Sequence, residues 1–345
     1  MRFGLAGFGM HGRSAVAEAF RAHARKAVLV AACDPNPANR EAAARSGLAA
    51  FPDLAAMLAR ERLDAVYIAS LPDTHAALAL ESFAAGCHVL CEKPMAPAPD
   101  ECRRMIAAGE KAGKRLSVVF ELRFDETMRK IGEWIREGLL GRVEAVHIQH
   151  FWDGHKSIGP KAARRARLLA ATGALDHGCH FLDIARAWAG GRWSEIRAMG
   201  AWLGEDFEKP PHVSVLARLD SGALVTLNVS LSFTAHIEPK AVSHALSVVG
   251  TEGVVERKDK VFRLVSARRT EEIERKASEI ASIGRLIDAF AAAASGDGPI
   301  DAYLPTGEDG LQAAIITEEA NRQAARERPA GTAPNSSLRG TDSPA

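Results

Sequence analysis

Residues 3–12 read FGLAGFGMHG, a short apolar run (Phe3–Ala6) followed by glycines at 7, 9 and 12 in the spacing G-x-G-x-x-G. Glycine is common, so context decides. Here a strand-like run precedes the motif and a helical pattern, Gly12–His23, follows it. In that setting Gly7 permits a tight turn, Gly9 lets the backbone approach a pyrophosphate, and Gly12 lets helix and strand pack closely. The helix N-terminus adds free N–H groups and the positive end of a dipole, which together favour an anion. Asp34 closes the next apolar run, Ala27–Cys33, 22 residues beyond Gly12. A carboxylate there binds the ribose hydroxyls of an adenine dinucleotide and repels a 2′-phosphate. NAD is expected over NADP, with the cation of Arg40 nearby as the one discordant feature.

Outward from this motif the first 120 residues keep alternating. Strand-like runs Ala65–Ser70, His88–Cys91 and Leu116–Phe120 are separated by helical stretches Asn36–Ser46, Asp73–Ala85 and Pro99–Ala112. Such alternation implies βαβ units and an α/β, doubly wound parallel (Rossmann) sheet. After Arg123 the rhythm changes. A helix (Glu126–Glu137) leads into a strand (Val143–Trp152), and further strands follow over 196–203, 213–219, 223–231, 244–249 and 261–266. The turn signals DSGA and GTEG between them join antiparallel neighbours. Helices are expected near 273–295 and 308–325. The expected organisation is a dinucleotide-binding domain over 1–122 and a C-terminal α/β domain with a large open, mostly antiparallel sheet over 123–326. The last helices are free to pack back on the first domain, and residues 327–345 form a disordered tail too poor in apolar residues to fold.

Composition narrows the function classes. Of 345 residues, 44 are Lys or Arg and 43 Asp or Glu. So even a balance gives no reason to expect nucleic acid or a membrane surface as partner. No run approaches the roughly 18 apolar residues of a membrane span, and the glycine-broken N-terminus does not read as a secretory signal. Five scattered cysteines do not make a disulfide framework. A cytoplasmic, reduced protein is expected.

Two stretches carry chemistry. HVLCEKPMA, residues 88–96, ends a buried strand on Glu92-Lys93-Pro94. In an open parallel sheet ligands bind beyond the carboxyl ends of the strands, so Lys93 points toward that crevice. GALDHGCHFLD, residues 173–183, gathers Asp176, His177, Cys179 and His180. On a helix at about 100° per residue, Asp176, His180 and Asp183 share one narrow stripe opposite an apolar arc. A packed helix with a polar stripe must face something polar. A zinc site would need His177, Cys179 and His180 to converge, and on one helix they diverge, so no metal is expected. A structural Asp176–His180 pair at i,i+4 and a proton-transfer station remain, and the second is the expectation.

The chain resembles the Gfo/Idh/MocA oxidoreductases through GFGMHG, Asp34, LPDTH (71–75), CEKP (91–94), LRFDETM (122–128), GLLGRVEAV (138–146) and GALDHGCHFLD. These occur in order over residues 1 to about 325. The resemblance implies a nucleotide-binding N-terminal domain, a C-terminal domain around an open sheet, and hydride transfer between a nicotinamide cofactor and a carbohydrate-like alcohol. Lys93 would be the family's active-site lysine, with Asp176 and His180 its D-x-x-x-H pair. The cofactor set implied is Gly7, Phe8, Gly9, Met10, His11, Gly12, Asp34, Ser70, Leu71, Pro72, His75, Glu92 and Lys93. The substrate set is Lys93, Arg123, Trp152, Arg164, Asp176 and His180. A homodimer or homotetramer through the C-terminal sheet is also implied. Leu71-Pro72-Asp73 stands where the family often has T-P-N, which bears on nicotinamide contacts, and Thr172-Gly173-Ala174 replaces a G-G-G.

The expected reaction is hydride removal from a secondary alcohol of a sugar, inositol or related polyol. His180 is the preferred base, Asp176 orients it or grips a substrate hydroxyl, and Lys93 bonds the reacting oxygen. Lys93 as base stays open. Rival readings are an NAD-dependent glycoside hydrolase acting by transient oxidation and a non-catalytic dinucleotide-binding regulator. Lys156, Lys161, Arg164, Arg165 and Arg167, with no acid between Gly154 and Asp176, make an anionic substrate one reading of the 155–167 segment and a solvated loop the other.

Overall fold

The structure is a computed structural model that describes residues 1–151, 175–202, 209–231, 243–258, 260–276 and 278–326. Trp152, Arg164 and the rest of the basic segment, Thr172–Ala174 and the 327–345 tail lie outside the described residues. No described helix is long and apolar enough to cross a membrane.

Six short strands form the first sheet: β1 (Arg2–Ala6), β2 (Val28–Cys33), β3 (Ala49–Phe51), β4 (Ala65–Ile68), β5 (His88–Cys91) and β6 (Leu116–Val118). Their order is β3-β2-β1-β4-β5-β6 and every pairing is parallel. The strand order reverses between β1 and β4, and such a switch point opens a crevice at the carboxyl edge. Backbone bonds keep that edge level: Gly7 N to Cys33 O at 2.8 Å, Ala69 N to Ala6 O at 2.8 Å, and Glu92 N to Ile68 O at 2.9 Å. Gly7, Asp34, Ser70 and Glu92 therefore emerge side by side.

The second sheet has eight strands, β7 (Val143–Phe151), β8 (Trp193–Ala201), β9 (His212–Leu219), β10 (Leu224–Ser230), β11 (Ser243–Gly250), β12 (Gly253–Lys258), β13 (Val261–Ser266) and β14 (Thr270–Glu274). The order is β14-β13-β12-β11-β7-β10-β9-β8, antiparallel except for the parallel β7–β10 pair. One face is apolar at alternate positions: Val146 and Ile148, Val213, Val215 and Ala217, Val225, Leu227 and Val229 are all buried. Against it pack the helices Glu126–Arg136 and Leu175–Ala189.

Four elements depart from the sequence reading. Strand β3 and the helix Leu54–Arg60 lie in an alanine-rich stretch whose weak periodicity hid them; an Asp53 side chain accepting from Ala56 N at 2.7 Å caps that helix. Strand β12 completes a hairpin across Thr251 and Glu252. Strand β14 occupies Thr270–Glu274, where a helix was expected to begin; the helix starts at Glu279, capped by Ser278. Glu271, Glu272 and Glu274 favour a helix locally, but pairing with β13 on a sheet edge overrides that preference.

The last two helices tie the halves together. Ile283, Leu286, Ile287 and Phe290 of the helix Glu279–Ser295 are fully buried against the first sheet with Phe3, Phe20 and Tyr67. Each such side chain contributes about 1.5–3 kcal/mol. The helix Gly307–Ala325 reaches both cores, with Leu311, Ala313 and Ala314 in one and Ile316, Ala320 and Ala324 in the other. Its small residues allow close approach: a methyl group on Gly310 would lie 2.7 Å from Val118 and 2.8 Å from the Met95 sulfur. The described chain after 278 thus belongs energetically to the first sheet as much as to the second.

Candidate active site

The glycine turn has the conformation its motif calls for. Gly7 has φ +99°, and a Cβ there would lie 2.8 Å from the backbone of Ala69 and Ser70. A Cβ on Gly12 would overlap the Gly7 carbonyl oxygen. The helix opens with a wide turn over Gly12–Val16, in which Ala17 N reaches back to Gly12 O. Asp34 Oδ2 accepts from Phe8 N at 2.8 Å and Oδ1 from Asn36 N at 2.9 Å, so the acid braces the turn and keeps a second lone pair on each oxygen for another donor. A cradle that excludes side chains beside a braced carboxylate fits an adenine dinucleotide. Arg40 donates to the backbone carbonyls of Asp34 and Pro35, at 3.0 and 2.7 Å.

Several residues expected at the cofactor stand behind it. The Phe8 ring is fully buried and its N–H is on Asp34. His75, 1% exposed, lies between Pro94 O (3.1 Å) and Ser70 O (3.3 Å). Burial holds it neutral, so its single N–H serves one of the two, and it joins the loops after β4 and β5. Glu92 is buried with Oε1 2.9 Å from His11 Nε2 and 2.7 Å from the Tyr67 hydroxyl. Burial works against its charge, but His11, Tyr67 and Lys93 keep its pKa below the usual carboxylate value, and Glu92 in turn raises that of His11. Met10 is 57% exposed at the mouth of the turn, and Leu71 leaves the Pro72–Ala84 helix N-terminus without a side-chain cap.

The Leu175–Ala189 helix brings its polar stripe against the carboxyl edge of the first sheet. Asp176 meets Lys93, whose Nζ donates to the Asp176 carbonyl at 2.9 Å and lies 3.5 Å from Oδ2. His180 meets Glu121, with Nδ1 3.1 Å from Oε2. Asp183 meets Arg123 in a bidentate pair at 2.7 and 2.6 Å. Side chains of Lys93, Asp176 and Glu121 are 15, 13 and 18% exposed, values of a cleft lining rather than a core.

The charges follow from these contacts. Burial opposes the charge on Lys93, yet Asp176, with Cys179, Glu121 and Glu92 around it, holds the pKa above the ordinary lysine value. Burial likewise opposes ionised Asp176, and Lys93 and His177 overrule it, holding it well below the carboxylate range. Burial, with Lys93 and His177 nearby, pushes His180 well below 6.5. Lys93 is therefore a cation, Asp176 an anion and His180 a neutral imidazole at physiological pH.

Three placements correct the sequence reading. Asp176 does not orient His180; its carboxylate is shared by Lys93 and His177 Nδ1, the latter at 3.1 Å. Glu121, which no motif singled out, is the carboxylate beside His180, 3.1 Å from Nδ1 without an aligned hydrogen bond. It follows the strand-like run Leu116–Phe120, three residues past the end of β6, near a strand's carboxyl end as Asp34 and Lys93 are. Arg123, expected to contact substrate, is 5% exposed and bound by Asp183 and by Asp309 at 2.8 Å, with Arg186 also on Asp309.

Beside Asp176 lies a wall of imidazoles. His150 on β7 is directly opposite His244 on β11, rings stacked at 4.5 Å, and His177 stacks on His150 at 6.4 Å. Burial lowers His150 to about 3 and His244 to about 4, so these two rings are uncharged at neutral pH and suited to hydroxyl groups. Among the described residues no group of three His, Cys, Asp or Glu is disposed to hold a metal ion.

Residues 1–120 match the family model described as an oxidoreductase family with an NAD-binding Rossmann fold, Gfo/Idh/MocA, and residues 128–256 match the Gfo/Idh/MocA C-terminal domain. The chain is 31% identical over 266 residues to 1-carboxy-3-chloro-3,4-dihydroxycyclohexa-1,5-diene dehydrogenase of Comamonas testosteroni, covering 74% of this chain and 63% of that one. It is 28% identical over 269 residues to inositol 2-dehydrogenase of Acidothermus cellulolyticus, covering 74% and 72%. Several curated relatives are matched over less than two thirds of their length, from 33 to 63%. Among solved structures, the WlbA dehydrogenase from Bordetella pertussis in complex with NADH and UDP-GlcNAcA superposes with a TM-score of 0.74 at 26% identity, covering 94% of this chain and 96% of that one. With both domain models matched in order, and with the cradle and the Lys93–Asp176 contact where two sheets meet, the chain belongs to the Gfo/Idh/MocA family.

Proposed function

We propose that the protein is an NAD-dependent dehydrogenase transferring hydride between the cofactor and a secondary alcohol of a sugar, inositol or related polyol. The observation that carries this reading is the convergence of cationic Lys93, anionic Asp176 and neutral His180 beside the glycine turn. Bound NAD+ supplies the hydride acceptor. Residues of the first turn, Gly7, Gly9, Met10, His11 and Gly12, with Asp34, Ser70, Leu71 and Pro72, would hold it. Lys93 has three N–H donors; two are directed at Asp176, and the third is available to the reacting oxygen. There it stabilises the negative charge that develops as the hydroxyl proton leaves. His180, uncharged, accepts that proton. The carboxylates around Lys93 hold its pKa above the ordinary lysine value, which favours His180 over Lys93 as the base.

Relatives that act on an inositol or on a carboxylated cyclohexadiene diol support the polyol class, and UDP-GlcNAcA bound to the WlbA dehydrogenase supports substrates that carry a carboxylate as well. The uncharged His150 and His244 rings favour recognition of hydroxyls. The 155–167 cations, which lie outside the described residues, are the candidates to bind an acidic group on the substrate. Met199 and Leu216, 64 and 49% exposed on the outer face of the second sheet, support a homodimer or homotetramer that covers this face. Five unpaired, buried cysteines suit a cytoplasmic location.

The deciding experiment is a panel of inositols, polyols, aldoses and uronates assayed for NAD reduction, with aglycone release from glycosides measured in parallel. NADH formation with at least one polyol is expected. Aglycone release without net NADH would move the protein to the hydrolase reading, and neither signal with any compound would remove the dehydrogenase reading.

Cofactor choice gives a further expected result. NAD should bind at least tenfold more tightly than NADP, about 1.4 kcal/mol, because Asp34 repels a 2′-phosphate. Asp34→Ala should narrow the ratio and, by freeing the N–H groups of Phe8 and Asn36, weaken both. Equal affinities for the wild type in low-salt titration would refute the assignment.

A further inference from the structure

His180 draws its carboxylate partner from outside the helix that carries it. Glu121 opens the short turn Glu121–Phe124 after β6, and its Oε2 lies 3.1 Å from His180 Nδ1. Asp176 is not available for this work, since Lys93 and His177 hold it. The Phe120 ring stands edge-on to the imidazole at 6.0 Å and confines it from the side. His180 Nδ1 is buried without an aligned hydrogen bond, and Glu121 Oε2, at 3.1 Å, is the carboxylate within reach of it; a small rotation of either side chain aligns the two and directs Nε2 away from Glu121, toward the substrate.

We propose that Glu121 is the positioning and proton-relay residue of His180, so that the two act as one unit. The proposal rests on the dehydrogenase reading for its chemistry, though not for the pairing itself. In alcohol oxidation the substrate hydroxyl proton moves to His180 Nε2 and the Nδ1 proton moves to Glu121 Oε2. The C–H electron pair would leave as hydride, for which bound NAD+ would be the acceptor in the dehydrogenase reading above. Carbonyl reduction by NADH runs each transfer in reverse, with Glu121 returning its proton to Nδ1 as Nε2 protonates the nascent alkoxide.

The surroundings set when the relay can accept a proton. Glu121 is faced by His180 and Cys179 from one helix, by Glu92 and Lys93 after β5, by Tyr67 from β4 and by Glu279 from the helix Glu279–Ser295. Burial and the Glu92 charge push it up to about 8, with Lys93 pulling the other way. Below that value Glu121 holds its proton and the pair is set to donate. Above it the carboxylate is ionised and the pair is set to accept. Oxidation should therefore rise with pH through about 8 and reduction should fall over the same interval.

Two measurements on the full chain test this. First, with the protein labelled with 15N-histidine, the His180 ring signals, assigned by their loss in His180→Gln, should shift with an inflection near pH 8 that disappears in Glu121→Gln. This arm needs no substrate. An inflection unchanged in Glu121→Gln, or none in the wild type between pH 7 and 9, overturns the pairing. Second, with a substrate from the polyol panel, kcat/KM for oxidation should show the same inflection. Glu121→Gln should abolish it and lower the rate at pH 9 by about tenfold or more, and Glu121→Asp should restore the inflection in part. NADH affinity and Tm close to wild type in both variants separate this from misfolding. A Glu121→Gln enzyme with the wild-type pH profile refutes the relay. A panel without any turnover would count against the dehydrogenase reading and leave the first measurement to decide the pairing.

Discussion

Lys93→Met is expected to lower turnover by about a hundredfold or more while equilibrium NADH affinity stays within about threefold of wild type. The expected loss, about 2.7 kcal/mol or more, matches removal of one preorganised donor from a developing oxyanion. Methionine keeps the side chain as far as the atom before Nζ and most of its volume, so the loss isolates the charge and its N–H groups. Because Asp176 holds Lys93 protonated, raising the pH to 9 should not rescue the variant or alter the role of the lysine in the wild type. A lysine acting as base would need a pKa near neutrality, and burial alone would provide that; the carboxylates around it prevent it. Lys93→Arg should remain strongly impaired, since a planar fork does not reproduce three tetrahedral donors at this site. Parallel measurement of kcat and of NADH binding by fluorescence decides the matter. Near-normal kcat in Lys93→Met would take the residue out of the mechanism.

Arg123→Met is expected to destabilise the fold by about 3–5 kcal/mol, because it strands buried carboxylates without a counter-charge. Asp183 has a fully buried side chain and Asp309 is 10% exposed, and both rely on this guanidinium. Arg186 still reaches Asp309 in the variant, so Asp183 carries most of the penalty. A fall in Tm on the order of 5–15 °C should follow. Adding Asp183→Leu should recover a large part of the loss, since an apolar pair of similar volume removes the unpaired charge. The same experiment separates two roles for Arg123. A substrate contact would raise KM with Tm unchanged. A bolt between the end of the first sheet and the Leu175–Ala189 helix would lower Tm, and would lower activity only as far as the helix carrying Asp176 and His180 shifts.

Both expectations depend on contacts between segments far apart in the chain, and this divides what could be read early from what could not. Local rules governed the glycine turn, the alternation of strands and helices to residue 120, and the carboxyl-edge placement of Asp34 and Lys93. A strand, a tight turn and a helix start within a dozen residues of one another, so their physics is written in neighbouring side chains. The polar stripe Asp176, His180 and Asp183 was likewise legible, because helical periodicity alone lines up positions i, i+4 and i+7. What the stripe would face was not. Lys93, Glu121 and Arg123 lie about 60 to 83 residues away in sequence, and only the docking of the helix on the first sheet selects one partner for each position.

The same limit explains the strands that escaped notice. For β14, the run of glutamates favours a helix by propensity, and hydrogen bonding to β13 reverses that choice. Charge states were decided last of all. A histidine titrates near neutrality in water, but burial among Lys93 and His177 leaves His180 neutral, and burial beside Glu92 lifts Glu121 to about 8. Desolvation and the sum of surrounding charges depend on three-dimensional distance. The sequence determined by itself which residues could do chemistry, because motif and periodicity are local; the tertiary structure decided which of them meet and which hold protons, because those energies depend on separation in space and on the exclusion of water.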